Sequence, residues 1–131
     1  MNVSKDLIEN LDDPLTTVSR RDVFQRKQFL KQIYLDWYKL IKRHLPYKHN
    51  SIIELGSGAG FFQDLIPSMI SSDVLFLPFI DVVINGLNLP FSSNSVDSYV
   101  MVNVFHHLPQ ASKFLNEINR TLRKGGRLIM I

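Results

Sequence analysis

The sequence predicts an α/β domain, with a parallel sheet covered by helices on both faces and a helical extension at the front. Three observations carry this. After residue 50, short and almost wholly apolar segments such as 51–55 and 98–103 alternate with stretches of helical periodicity, which is how strands buried on both sides are written. Before residue 50 the apolar residues keep a single 3.6-residue rhythm. A glycine-rich turn, Gly56-Ser57-Gly58-Ala59-Gly60, lies directly behind the first strand. The chain has 131 residues, 45% of them apolar and 21% charged, which suits one compact unit and excludes fibrous, low-complexity and disordered classes. The character changes at Lys48-His49-Asn50, dividing an extension over 1–50 from a core over 51–131.

In the extension, Val23, Leu30, Ile33/Tyr34, Trp37, Leu40/Ile41 and Leu45 form one stripe, so a helix is expected from Val23 to Leu45. Ser19 or Thr17 can cap its start, and Pro46 stops it. Asp12-Asp13-Pro14 marks the start of another, shorter helix. The stripe must pack on the remainder, as a lid over a site. In the core, strand 51–55 and the turn lead into a helix expected over 61–70, then strands near 71–74 and 81–84. The strong strand 98–103 follows. A helix over 110–122 carries Ala111, Phe114/Leu115, Ile118 and Leu122 on its stripe and ends at Gly125-Gly126, which suit a left-handed cap. A last strand covers 127–131. Parallel neighbours need a crossover of about a dozen residues or more, but only Leu75-Phe76-Leu77-Pro78-Phe79-Ile80 join the second and third strands. An extended apolar connection without regular structure is expected there.

The absence of cysteine excludes a disulfide framework and thiolate metal sites. The start Met1-Asn2-Val3-Ser4-Lys5-Asp6 lacks the pattern of a signal peptide, and a cytoplasmic protein is the expectation. Apolar runs are broken at Pro78, Asn85 and Asn103, short of the ~20 residues that span a bilayer. Ten Lys/Arg face six Asp/Glu in residues 1–50, whereas five face six in 51–131, so the basic balance belongs to the extension. Those basic residues alternate with apolar ones at helical spacing, and Trp37 and Tyr38 lie in or beside the stripe. A solvated helix face is therefore expected, and not a nucleic-acid surface.

The chemistry concentrates in Glu54-Leu55-Gly56-Ser57-Gly58-Ala59-Gly60. Glycines between a strand and a helix bring bare backbone and amide groups up to a ligand. The spacing differs from the dinucleotide fingerprint, whose third glycine would fall at Phe61, which argues against a nicotinamide cofactor.

Residues 51–131 resemble the front of a class I S-adenosylmethionine-dependent methyltransferase of the type 11 kind. Four matches in order carry the resemblance: the Glu54 to Gly60 loop; Leu89-Pro90-Phe91 followed by Ser95-Val96-Asp97; the strand running into Asn103-Val104-Phe105-His106-His107-Leu108; and Leu122-Arg123-Lys124-Gly125-Gly126 before a final strand. The resemblance implies a Rossmann-like sheet of order 3-2-1-4-5 and S-adenosyl-L-methionine as cofactor. Glu54, Gly56, Ser57, Gly58 and Gly60 would hold its amino-acid end. Asp73 would accept hydrogen bonds from the ribose hydroxyls, with Asp81 as its rival on spacing. Asn85 stands where the family usually has an acidic residue for the adenine amino group, with Gly86 and Leu87 completing that pocket. Asn103 lies at the carboxyl end of the fourth strand, and there His107, or less readily His106, would accept a proton from the methylated nucleophile. No metal site is expected, since His106 and His107 alone are too few ligands and His44 and His49 belong to the helix end and linker.

The resemblance further implies a small-molecule methyl acceptor and a longer protein, because family members continue past the fifth strand through another helix and two strands. Ending at Ile131 leaves an apolar edge that a second copy could pair with as a homodimer. The alternative reading is a non-catalytic remnant that binds the cofactor or a partner.

Overall fold

The computed structural model describes residues 13–48 and 50–131; the amino-terminal start, Asp12 and His49 lie outside the described residues. Five parallel strands form one sheet in the order β3-β2-β1-β4-β5, as expected. They are β1 (Ile52–Leu55), β2 (Ile70–Asp73), β3 (Val82–Val83), β4 (Val96–Met101) and β5 (Leu122–Met130). Ile53 pairs with both Ile70 and Tyr99. That register brings the carboxyl ends of β1, β2 and β4 side by side, where open parallel sheets hold their ligands.

Helices cover both faces. On one, α2 (Gln28–His44) presses Tyr38 and Ile41 onto Ile52, Phe62, Met69 and Val100. On the other, α3 (Ala111–Thr121) packs Phe114 and Ile118 onto Ile53, Leu55, Tyr99 and Met101. Glu117 of α3 accepts the Leu89 amide at 2.8 Å while Arg120 donates to the carbonyls of Leu89 and Phe91, which fixes the Leu89-Pro90-Phe91 turn against the helix. The Arg120 hydrogen bonds and the Leu89 amide hold the Glu117 carboxyl down at about 2.

The shorter helix expected behind Asp13 is present, but the boundary between the two front helices differs from the one expected at Val23. Two helices occur, α1 (Pro14–Arg26) and α2, separated by Lys27 in extended geometry. Asp13 caps α1 as the Asp-Pro start implies, accepting from the Leu15 amide at 2.9 Å with Pro14 at the first helical position, whereas α2 starts behind Lys27 with no side-chain cap, so neither Thr17 nor Ser19 serves it. Lys27 is neither Gly nor Pro. The break follows from tertiary contact, because folding α1 back sets the Phe24 ring edge-on to Tyr34 at 4.5 Å. As expected, α2 gives way at Leu45, whose ψ of 145° is extended, one residue before Pro46.

The helix expected over 61–70 is also absent. A single 3₁₀ turn, Phe62–Asp64, takes its place. Pro67 removes a donor and steers Ile66 away from helix, and β2 begins only three residues later. Phe62 instead stacks on Tyr38 with centroids 4.3 Å apart and is fully buried. The connection 75–80 has no helix or strand, as expected; Leu77 is buried in it while Phe76 is exposed.

Gly125-Gly126 do not cap α3, which ends at Thr121. Val96 pairs with Leu122 but Ser98 with Arg127, so the residues between loop out of β5, with Gly125 at φ 80°. Asp97 closes this region, accepting the Ser51 amide at 2.8 Å and pairing with Arg123 at 2.8 Å. Among the described residues no helix is long and apolar enough to cross a membrane. Phe114 should carry much of the α3 face: Phe114→Ala is expected to lower unfolding free energy in urea by about 3–5 kcal/mol, and a loss below about 1 kcal/mol would contradict this packing.

Candidate functional site

The turn after β1 is held by the strand beside it. The Ser57 amide donates to Ser72 O at 2.8 Å, the Ser72 amide returns to Ser57 Oγ at 3.1 Å, and Ser57 Oγ donates to Glu54 at 2.7 Å. The Gly58 amide donates to Asp73 Oδ2 at 2.8 Å. Gly56 and Gly58 both take positive φ, 69° and 49°. At Gly56 a side chain is doubly excluded, because a Cβ there would lie 2.5 Å from a Val104 methyl. That contact also places the segment after β4 directly on the turn.

Two carboxylates flank it, both buried: Glu54 on β1 and Asp73 at the end of β2. Burial raises the Glu54 carboxyl to about 7, with the Asp73 charge adding to the rise, while the Ser57 hydroxyl and Arg21 oppose it. Asp73 accepts Gly58 on one oxygen and the Leu75 amide on the other at 3.0 Å. Its rival Asp81 sits at the amino end of β3 and is engaged elsewhere, accepting the Ser71 amide at 2.9 Å and the Gln63 amide at 2.6 Å.

The fold brings the glycine turn, Glu54, Asp73 and the Asn103 to His107 segment to one end of the sheet. Asn103 is exposed, in left-handed geometry at φ 56°, its amide donating to Ile131 O. His106 and His107 are exposed, their ring centroids 4.0 Å apart. Asn85 follows β3, which pairs with β2 at Asp73, and its side-chain oxygen accepts the Leu87 amide at 2.9 Å in a turn of its own. Gly86 packs on the Phe114 ring, 3.1 Å from where its Cβ would be. Among the described residues no cluster could hold a metal.

The turn differs from the expectation in one respect. With only a 3₁₀ turn behind it, no α-helix aligns its dipole there, and its amides are largely committed inside the protein. The Gly60 amide donates to Ser57 O and the Phe61 amide to Tyr38 Oη at 3.1 Å. Sequence reasoning missed two residues, Tyr38 of α2 and Arg21 of α1, whose Nη1 donates to Gly60 O at 2.6 Å. Tyr38 was legible only as a residue in or beside the stripe, and nothing near Arg21 in the sequence marks it.

Residues 63–130, more than half of the chain, match the methyltransferase domain family. The chain belongs to this family. The match begins just past the glycine turn, so the turn's assignment rests on geometry. Among solved structures, this methyltransferase domain is similar to a SAM-dependent methyltransferase from Aquifex aeolicus, at 20% identity and TM-score 0.67, covering 89% of this chain and 71% of that one. It is also similar to a Methanococcus maripaludis protein described as of the same class, at 15% identity and TM-score 0.73, covering 90% and 63%. These likenesses speak to the fold. Over 55 residues it is 40% identical to the ubiquinone/menaquinone biosynthesis C-methyltransferase UbiE of Bartonella bacilliformis, covering 41% of this chain and 21% of that one. The chain spans less than half the length of the curated relatives it matches.

The donor set fits the cofactor that this family implies. S-adenosylmethionine is cationic and carries an ammonium and a ribose diol, and the site offers two buried carboxylates as acceptors beside a turn with glycine at positions 56, 58 and 60. The raised Glu54 carboxyl sets a pH window. Its protonated form is favoured by the fold, so its contribution to stability is full below about 4.5 and is lost as pH rises through about 7. The Glu54 carboxyl is expected to titrate near 7 by ¹³C NMR, and Glu54→Gln to flatten stability against pH across that window; a midpoint below 5 would contradict the burial.

Proposed function

We propose that this domain binds S-adenosyl-L-methionine at the carboxyl ends of β1, β2 and β4 and serves transfer of its methyl group to a small-molecule acceptor. The observation that carries the reading is the placement of Glu54 and Asp73 on either side of a glycine turn that takes positive φ twice. When bound, the cofactor supplies a methyl group activated by a sulfonium charge, which leaves by direct displacement, so placement of the acceptor outweighs proton transfer. Glu54 meets the ammonium, and Gly56, Ser57, Gly58 and Gly60 accommodate the amino-acid end. Each Asp73 oxygen keeps a lone pair for a ribose hydroxyl beyond the backbone amide it already accepts. Asn85 offers its side-chain oxygen to the adenine amino group, Gly86 and Leu87 line the ring, and Asn103 borders the donor end. His107, with His106 beside it, accepts the proton of the nucleophile from the exposed face.

One observation favours a second reading, a domain that binds the cofactor without catalysis. The Asn85 oxygen already accepts the Leu87 amide, which leaves one lone pair for adenine, and it adds no charge there. Release of methyl from labelled cofactor across an acceptor panel separates the two. At the sheet edge Met130 and Ile131 stay exposed, and pairing of a second copy along β5 forms the homodimer of this proposal, to be read by sedimentation.

Calorimetric titration with S-adenosylmethionine and its demethylated product should show saturable binding that tightens as pH rises through about 7, because the ionised Glu54 is the form that attracts an ammonium. Gly58→Val should abolish binding, since φ of 49° strains a β-branched residue, and Asp73→Ala should weaken it at least tenfold. Unchanged affinity in both variants rejects the site.

A further inference from the structure

We infer that Arg21 is a positioning residue, by which the front helices hold one peptide of the glycine turn in its cofactor-accepting shape. The cofactor part of this inference rests on the proposed function above. The peptide is the one joining Gly60 to Phe61. Its carbonyl accepts from Arg21 Nη1 of α1 at 2.6 Å, and its amide donates to Tyr38 Oη of α2 at 3.1 Å. Both ends of a single planar unit are therefore pinned, by different helices, and the plane cannot rotate without breaking one bond or the other.

The surroundings support the same role. A Cβ at Gly60 would lie 2.6 Å from Tyr38 Oη, so the close approach of α2 requires glycine there. Tyr38 is buried, stacked on Phe62 and edge-on to Phe61, and burial raises its hydroxyl above its ordinary value, which keeps it a neutral partner. The Arg21 guanidinium also lies 4.3 Å from the centre of the Phe79 ring, so one side chain joins the turn after β1 to the connection after β2. Arg21 and Glu54 line the same small cavity, of about 30 Å³, with Ser57, Gln63 and Phe79. The charged and titratable groups acting on Glu54 are Arg21 from α1, Tyr38 from α2 and Asp73 from β2.

Apolar burial does little to dock α1. Leu15, Val18 and Val23 are exposed and Thr17 is its one buried residue. Its polar and aromatic contacts to the body, through Arg21 and Phe24, decide where it sits. Removing Arg21 therefore frees the turn while leaving the sheet and its two apolar faces intact.

The test uses the full chain with Arg21→Gln, Arg21→Lys and Tyr38→Phe. In the cofactor-free protein, hydrogen exchange at the amides of residues 58–61 should accelerate in Arg21→Gln and Tyr38→Phe while those of α3 and β4 keep their protection. A merely structural role would move all of them together. Affinity for the demethylated product should fall about tenfold in Arg21→Gln, the effect of one charge-assisted hydrogen bond, with part of it regained in Arg21→Lys. Unchanged exchange at 58–61 overturns the inference, as does loosened exchange with wild-type affinity. If the wild-type chain binds neither ligand, the cofactor reading fails, and the exchange measurement still decides whether Arg21 holds the turn.

Discussion

Burying Glu54 and Asp73 at the ends of neighbouring strands costs free energy that the backbone between them must offset. Each carboxylate is shielded from water and needs donors. Ser57 gives its hydroxyl to one and the Gly58 amide goes to the other, and both bonds need the chain to turn through positive φ directly after β1. Positive φ thus requires glycine at Gly56, where Val104 also excludes a side chain, and at Gly58, while Gly60 is required by the approach of Tyr38. The arrangement sets two buried acidic side chains on either side of the turn at the carboxyl edge of the sheet.

The remaining architecture serves that edge. Parallel pairing in the order β3-β2-β1-β4-β5 sets the glycine turn, Asp73 and the segment after β4 on one side of the molecule. α3 fixes the far flank by fastening Leu89 and Phe91 and by filling the space that Gly86 leaves open. The front helices complete the other flank. They do more than cover a sheet face, since Tyr38 reaches from its apolar seat to the Phe61 amide.

The parallel strands and the glycine turn were legible because each depends on local signals, uninterrupted apolar strands and glycines at fixed intervals behind Glu54, whereas the strand order came from the family resemblance and no local signal carries it. What was not legible depends on contacts between distant residues. The break at Lys27 carries no proline or glycine and follows from Phe24 meeting Tyr34. The helix expected over 61–70 had apolar residues in plenty, but Pro67 and the early start of β2 left it no length, and Phe62 gained more by stacking on Tyr38. Gly125-Gly126 looked like a helix cap and form instead the irregular entry to β5. Asp73 and Asp81 were close rivals on spacing, and only the register of β2 and β3 separates them, placing one at the carboxyl end and the other at the amino end. Arg21 has no signature in the chain near it, since its partners lie 39 and more residues away.

The central claim is that this turn is a seat for an adenosyl sulfonium compound. Crystals of the chain grown with S-adenosylhomocysteine test it most directly. The account predicts the ribose hydroxyls on Asp73 and the amino-acid end against residues 56–60 beside Glu54. A ligand bound elsewhere on the sheet, with the turn still closed on its own side chains, would contradict it.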